Sequence, residues 1–539
     1  MQGGLSEQAI RNLEALRIQL GFNSLEELAE FLSPQRAKEL SLALSFDDVT
    51  LEQGYSDFLP QEVDIRTRIS RNVEHNIPII SAAMDTITES ELGIELAQLG
   101  GSGVLHRNLS IARQVEEANR VKNAWNLVIE KPLTVRPTQT VKEVRRIMMK
   151  TKFEGLPVVK GKRIMVGIIT AKDIKYGSLD TRVEDLMTPV NARLHYIHYD
   201  RRFSQQDYFR RAEQIFEKYK IDHLPVIVKE NGRFILKGLI TYEDVRKRRK
   251  YKDACLRDER LVVGAAVGCK LRGKENDIER AEALIQEGRV DYLVIDSSHG
   301  YCKGVIDTLR ALKKKFGDDI DVIAGNICNG SAAAALIEYG ADGLKVGVGP
   351  GSICITRRQA GAGIPQITAT RNVALVAEKH GIPVITDGGS ECPGHIARAI
   401  AAGAYAVMLG SMVSGTYETP GRLIIGEDGK RAKVYRGMGS LDAMLKGSAD
   451  RYEASELVKD LDLREEDVTN LPLEQGISKL VPYKGRLYKI INECVQGLRY
   501  GMGISGNRTI AELRRLDNFY EKFKRITAEG KRESGIHGL

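Results

Sequence analysis

The sequence predicts an α/β protein, a (β/α)8 TIM barrel with a smaller α+β module inserted in it. Three observations carry this prediction. Eight short apolar runs each end in glycine or polar residues. Helical patterns lie between most of them. After the second run the regular spacing fails, and the gap contains an internal repeat.

Residues 1–40 read as a helical extension. Ser24–Leu32 (SLEELAEFL) has helical periodicity, and Ser24 with Glu27 has the spacing of a capping box. No chemistry is legible there. The first part of the barrel, 41–126, contains the runs Ile77–Met84 and Gly103–His106. The second part, 251–539, contains Leu261–Gly268, Tyr292–Ser297, Val322–Asn326, Gly343–Gly347, Pro383–Gly388 and Tyr405–Ser411. These runs are continuously apolar rather than alternating, which marks parallel strands buried on both faces. Ser90–Leu99, Ile278–Glu287, Val305–Lys314, Ser331–Tyr339 and Thr370–Lys379 repeat apolar residues at three- and four-residue steps, so helices return the chain between strands.

Between His106 and Leu261 lies the repeat. Glu154–Val159 (EGLPVV) precedes Gly167–Ile174 (GIITAKDI), and Asp222–Ile227 (DHLPVI) precedes Gly238–Val245 (GLITYEDV). The copies are 68 residues apart at Pro157 and Pro225 but 71 apart at Thr170 and Thr241, so the second hairpin is longer by three. Two β-β-α units that cannot each bury their own face are expected to pack into one module over 127–250, joined through Asp185–Pro189.

Composition excludes several classes. Of 539 residues, 42% are apolar and 28% charged, which is globular and not disordered. The seven cysteines are scattered and never form a C-x-x-C pair, against a disulfide framework or zinc site and for a reducing compartment, the cytoplasm. No basic segment followed by an apolar run opens the chain, so no signal peptide is expected. The uncharged stretch Ala399–Tyr417 is broken by glycines and serines and reads as helix end, strand and loop, not a membrane span. The net charge of +8 is partly concentrated in Arg246–Lys252 (RKRRKYK). A solvated surface explains such a cluster better than a nucleic-acid patch, and an anionic small substrate also suits a basic protein.

Barrel active sites lie at the C-terminal ends of the strands. The polar residues there include His106, Asp296–His299, Asn326, the loop Gly347–Arg357, Asp387–Ser390 and Gly410-Ser411. The loops after the seventh and eighth strands commonly bind phosphate in this fold, and small residues let backbone N–H groups approach an anion. The competing reading is that these glycines only turn corners. After the sixth strand, three alternating glycines precede Cys354. They leave carbonyls able to converge on a hard cation, and a thiolate beside a phosphate pocket could attack an electron-poor carbon.

The ordered motifs LSFDDVTL (44–51), ISAAMDTITE (80–89), GVLHRN (103–108), DSSHG (296–300), AGN (324–326), GVGPGSICIT (347–356), DGG (387–389), MLGS (408–411), YRGMGSLDAM (435–444), DRY (450–452) and VPYKG (481–485) resemble the inosine-5′-monophosphate (IMP) dehydrogenase family. The resemblance covers nearly the whole chain after about residue 40. The repeat resembles the tandem cystathionine-β-synthase-type (CBS) module that the family carries in that position.

The resemblance implies roles. Cys354 is the nucleophile that adds to C2 of IMP, hydride passes to NAD+, and water releases xanthosine monophosphate (XMP). Ser352, Asp387, Gly388, Gly389, Gly410 and Ser411 hold ribose and phosphate. Tyr435 helps bind phosphate, and Gly437, Met438 and Gly439 meet the purine. Asp296, Ser298, Asn326, Gly347 and Gly349 face NAD. Carbonyls of Gly349, Gly351 and Cys354 bind potassium, completed by Glu533, Ser534 and Gly535 of a neighbouring subunit. Arg451 and Tyr452 ride on a mobile flap, about 446–480, and activate water. Arginine's high pKa makes it an awkward base. A second route pairs Thr356 with a flap Glu, but Gln475 occupies that position, so this route is expected to be weak. The acidic segment Glu456–Asp467 departs from the family pattern. The resemblance further implies a homotetramer, or an octamer, and adenine or guanine nucleotides at the CBS-type module, where Thr170, Asp173, Thr241 and Asp244 either meet the nucleotide or only cap helices. GMP reductase shares the barrel and Cys loop but lacks the Arg-Tyr flap. A silent nucleotide-sensing relative would not need Cys354, Thr356 and Arg451.

Overall fold

The computed structural model describes residues 42–533 except 192–193, 274–275, 427–428 and 449–472, together with Arg17 and Ser24. The flap residues Arg451 and Tyr452, the segment 456–467, Ser534, Gly535 and nearly all of 1–40 therefore lie outside the described residues.

The eight apolar runs form the eight strands of one closed parallel barrel. They are β1 (Ile79–Ser81), β2 (Ser102–Leu105), β3 (Val263–Val267), β4 (Tyr292–Asp296), β5 (Asp321–Ile327), β6 (Gly343–Val346), β7 (Val384–Asp387) and β8 (Ala406–Leu409). The barrel closes where β8 pairs with β1, Val407 opposite Ile79. Each strand feeds a helix: α1 (Ser90–Gln98), α2 (Ile111–Asn123), α3 (Asp277–Gln286), α4 (Lys303–Phe316), α5 (Gly330–Glu338), α6 (Gln366–Ala377), α7 (Pro393–Ala401) and, after a long excursion, α8 (Leu487–Ile504).

The strands are continuously apolar because two cores share them. Ile80, Val294, Ile323, Ile385 and Met408 point into the barrel. Ile79, Val407 and Leu409 point outward and pack with Leu92 and Leu96 of α1, Ile396 and Ile400 of α7, and Leu498 of α8. Each such side chain contributes about 1.5–3 kcal/mol on burial. Tyr292, fully buried at the base of the inner core, bonds Ser102 at 2.7 Å.

Three features are not evident from the apolar pattern. Val49–Leu51 pairs antiparallel with Phe523–Arg525. Ile424–Ile425, Arg431–Arg436 and Ser478–Pro482 form a small antiparallel sheet between β8 and α8 in the chain. The 18-residue α8 is the longest of the barrel helices.

Asn123–Lys252 with Asp258–Arg260 forms a second compact unit. Its two hairpins, Gly155–Lys160 with Ile164–Thr170 and His223–Glu230 with Arg233–Thr241, join through Ile235 and Ile164 in one sheet. The second hairpin has strands of eight and nine residues against six and seven in the first. Each hairpin ends in the same device: Thr170 with Asp173, and Thr241 with Asp244, form capping boxes on the following helix. Much of the basic cluster is paired within this unit. Arg249 meets Glu213 and Glu217, Arg246 meets Glu243, and Arg248 lies over the Trp125 ring.

Candidate active site

The C-terminal ends of four adjacent strands place polar side chains inside the barrel. Lys345 of β6 is 2% exposed, and its ammonium lies 2.7 Å from Asp387 Oδ2 of β7 and 3.4 Å from Asp296 Oδ1 of β4. Asn326 of β5 donates from Nδ2 to the same Asp387 oxygen at 2.9 Å and to the Gly347 carbonyl at 2.7 Å. Its Oδ1 is buried without a partner and belongs to a residue lining the cavity, so an amide or hydroxyl donor of a ligand would satisfy it.

Above this layer lies the loop that carries the cysteine. The Cys354 sulfur is 3.1 Å from the Thr356 hydroxyl, which donates to Gln475 Oε1 at 3.1 Å. Gln475 is held there by its backbone: its N–H donates to the Gly439 carbonyl, its carbonyl accepts from Ile355, and Gly476 bridges Cys354. Segment 475–477 is thus clamped between the Cys loop and residues 437–439. Arg357 fastens the far side of the loop, bonding the Val348 and Ile364 carbonyls. The Gly351 carbonyl accepts the Cys354 N–H at 3.0 Å, so of the carbonyls expected to hold a cation it already has one donor.

The third wall comprises the loops after β7 and β8. Gly388 and Gly389 are both left-handed, with φ of 88° and 81°, so a side chain at either would strain the turn. Gln366, 2% exposed at the start of α6, donates to the Asp387 carbonyl at 2.9 Å and so secures this turn. Gly410 has no Cβ, which leaves room for the Tyr435 hydroxyl. Burial pushes the Tyr435 phenol above its ordinary pKa, against a hydrogen bond to Ser352, so it stays neutral and can donate.

One cavity brings these walls together. It is lined by Cys354, Thr356, Gln475, Ser352, Asp387, Gly388, Gly389, Gly410, Ser411, Tyr435, Gly437, Met438, Gly439, Asp296, Ser298, Asn326, Gly347, Gly349 and Gly351. Glu533 is placed elsewhere, exposed at the end of the helix Ala528–Glu533. Three residues of this region were missed by sequence reasoning. Lys345 sits inside the apolar run GLKVG and carries no motif of its own; a charge within a buried strand was the available signal. Gln366 gave none. Arg436, inside YRGMGS, is paired with both Asp85 and Asp442 and ties the loop after β1 to the short helix Leu441–Ala443.

Residues 43–537 match the family described as IMP dehydrogenase / GMP reductase domain. The inosine-5′-monophosphate dehydrogenase of Aquifex aeolicus is 44% identical over 508 residues, covering 93% of this chain and 96% of that protein. The Escherichia coli enzyme of the same name is 43% identical over 498 residues, covering 92% and 96%. A crystal structure of a Trypanosoma brucei GMP reductase variant, with one cysteine replaced by alanine, in complex with guanosine 5′-monophosphate superposes with a TM-score of 0.78 at 38% identity, covering 92% of this chain and 98% of that one. By its sequence over nearly its full length, and by the barrel that carries the cysteine loop, this chain belongs to the IMP dehydrogenase / GMP reductase family.

Proposed function

We propose that this chain is an NAD-dependent IMP dehydrogenase that oxidises IMP to XMP. The observation that carries the reading is the placement of Cys354, paired with Thr356, in a cavity walled by the Asp387–Gly389 turn and the Gly410-Ser411 loop. IMP seated with its phosphate on the backbone N–H groups of these loops and on Tyr435, and its ribose on Asp387, brings purine C2 towards the thiol. Thr356 has one proton and donates it to Gln475, so its lone pairs can accept from the thiol. The Cys354 sulfur adds to C2 as the C2–N3 double bond opens, and N3 takes up the thiol proton. Asp296, Ser298, Asn326, Gly347 and Gly349 would hold NAD+, which when bound would take the C2 hydride as the C2–N3 double bond re-forms and N3 releases its proton; the unpartnered Asn326 oxygen fits a carboxamide donor. Water then cleaves the carbon–sulfur bond, activated by Arg451 with Tyr452.

The carbonyl oxygens of Gly349, Gly351 and Cys354 suit potassium, a hard cation. Glu533, Ser534 and Gly535 complete the shell from a neighbouring subunit of a homotetramer. The inserted unit is a tandem CBS module binding adenine or guanine nucleotides near Thr170, Asp173, Thr241 and Asp244. The scattered cysteines, with no C-x-x-C pair, support a cytoplasmic setting. Among the described residues no helix is long and apolar enough to cross a membrane.

The similarity to a GMP reductase structure favours one second reading, NADPH-dependent deamination of GMP. Purified protein given IMP and NAD+ is expected to generate NADH absorbance. Consumption of NADPH with GMP, and none of NAD+ with IMP, would establish the reductase instead.

A further inference from the structure

We infer that Lys345 is a positioning residue that locks Asp387 for a ribose diol and ties it to Asp296 on the cofactor side, making the enzyme discriminate a ribonucleotide from a deoxyribonucleotide. The inference rests on the reading of the cavity as an IMP site.

Lys345 points into the barrel at the floor of the cavity and is only 2% exposed. A buried ammonium is costly unless paired. Here both partners come from other strands, Asp387 of β7 at 2.7 Å and Asp296 of β4 at 3.4 Å. The fold makes room for it on the intervening strand β5. A Cβ on Gly325 would fall 2.8 Å from the Lys345 Cβ and would collide with its carbonyl oxygen, so a larger residue there would expel the lysine from its register.

The hydrogen bonds single out one oxygen of Asp387. Lys345 Nζ and Asn326 Nδ2 both go to Oδ2. The carboxylate is therefore fixed in rotation, and Oδ1 is left to the cavity that Asp387 lines. A carboxylate oxygen fixed in orientation suits a sugar hydroxyl, and a site built around that hydroxyl leaves buried groups unpaired when it is missing. The three charges sum to one negative. That sign suits hydroxyl donors on the Asp387 side and a cationic nicotinamide ring on the Asp296 side. Without the lysine, two carboxylates face one buried space with no cation between them, and Asp387 loses the bond that fixes its orientation.

The test uses the purified full-length chain, the variants Lys345→Met and Lys345→Arg, and calorimetric binding of IMP, 2′-deoxy-IMP and 3′-deoxy-IMP without NAD. The native chain is expected to bind IMP about tenfold or more tighter than at least one deoxy analogue. In Lys345→Met that ratio should fall to within about twofold, because phosphate and purine contacts remain while the diol contact is lost. Lys345→Arg should recover most of the ratio. If Lys345→Met is not folded by circular dichroism, Lys345→Gln, which keeps a donor but no charge, is read in the same way. A neutral variant that keeps the native ratio overturns the inference, including when IMP and both analogues weaken equally, since a merely structural lysine would act so. Failure of the native chain to bind IMP overturns the IMP reading itself, and this inference with it. Native binding of all three nucleotides with equal affinity overturns only the inference.

Discussion

Thr356 donates its hydroxyl proton to the side-chain carbonyl of Gln475 at 3.1 Å, across 119 residues of sequence. The geometry of a hydroxyl-plus-acceptor relay beside the Cys354 thiol is therefore assembled, but the acceptor is an amide that cannot take the proton away. Hydrolysis should depend on Arg451. Arg451→Ala should still give a burst of about one NADH per site, while turnover falls ~10²–10⁴-fold, the usual size of a general-base contribution. Adding Gln475→Glu to that variant should restore turnover about tenfold or more. Stopped-flow absorbance and intact-protein mass, which should show the accumulated adduct, check both. Absence of burst and adduct would place Arg451 before or during hydride transfer.

Cys354→Ser should abolish turnover yet leave IMP affinity within about tenfold, or ~1.4 kcal/mol. On the proposed reading the phosphate and ribose contacts would come from other loops, which Gln366 and Lys345 secure rather than the thiol. Titration calorimetry with steady-state assays separates the two effects. Residual activity near the native rate would remove Cys354 from the mechanism.

Replacing sodium by potassium at constant ionic strength should raise the rate. The Cys loop is tied on one side by Arg357, which bonds the Val348 and Ile364 carbonyls, and a cation held by the Gly349 and Cys354 carbonyls would tie it further. Equal rates in both salts would count against a specific site.

Deleting about 127–250 should leave the chemical step intact and abolish any response to ATP or GTP. The barrel strands and every described residue lining the cavity lie outside that range. Loss of the NADH burst in a folded deletion protein would contradict this.

His75 is fully buried with both ring nitrogens unpartnered, and desolvation pulls its pKa from 6.5 down to about 3. The unfolded chain therefore binds a proton that the folded chain refuses. Its contribution to stability is complete above about pH 6.5 and shrinks as the pH falls towards 3. Between pH 7.5 and 5 the native chain should lose about 2 kcal/mol through this group. His75→Phe should be less acid-sensitive by that amount, as read from denaturant unfolding at the two pH values. Identical acid sensitivity in both proteins would show that His75 is not the responsible group.

The barrel was legible in the sequence because a parallel strand buried on both faces must be apolar throughout. Runs such as YLVID and YAVML can be read without knowing their neighbours. The glycine turns were legible too: Gly388 and Gly389 take backbone angles that other residues resist, so their pairing marks the turn wherever it lies. Helix α8 was not legible, because it follows β8 only after a long excursion through an antiparallel sheet. Nor was the Thr170/Asp173 pair decided. The structure makes it a capping box, an interaction three residues long that is compatible with a ligand or without one. Lys345 marks the boundary most clearly. Within GLKVG it is one charge in an apolar run, with nothing local to account for it. Its partners lie 49 and 42 residues away on β4 and β7. Local periodicity determines which residues a strand buries, but only closure of the barrel decides which buried charges meet.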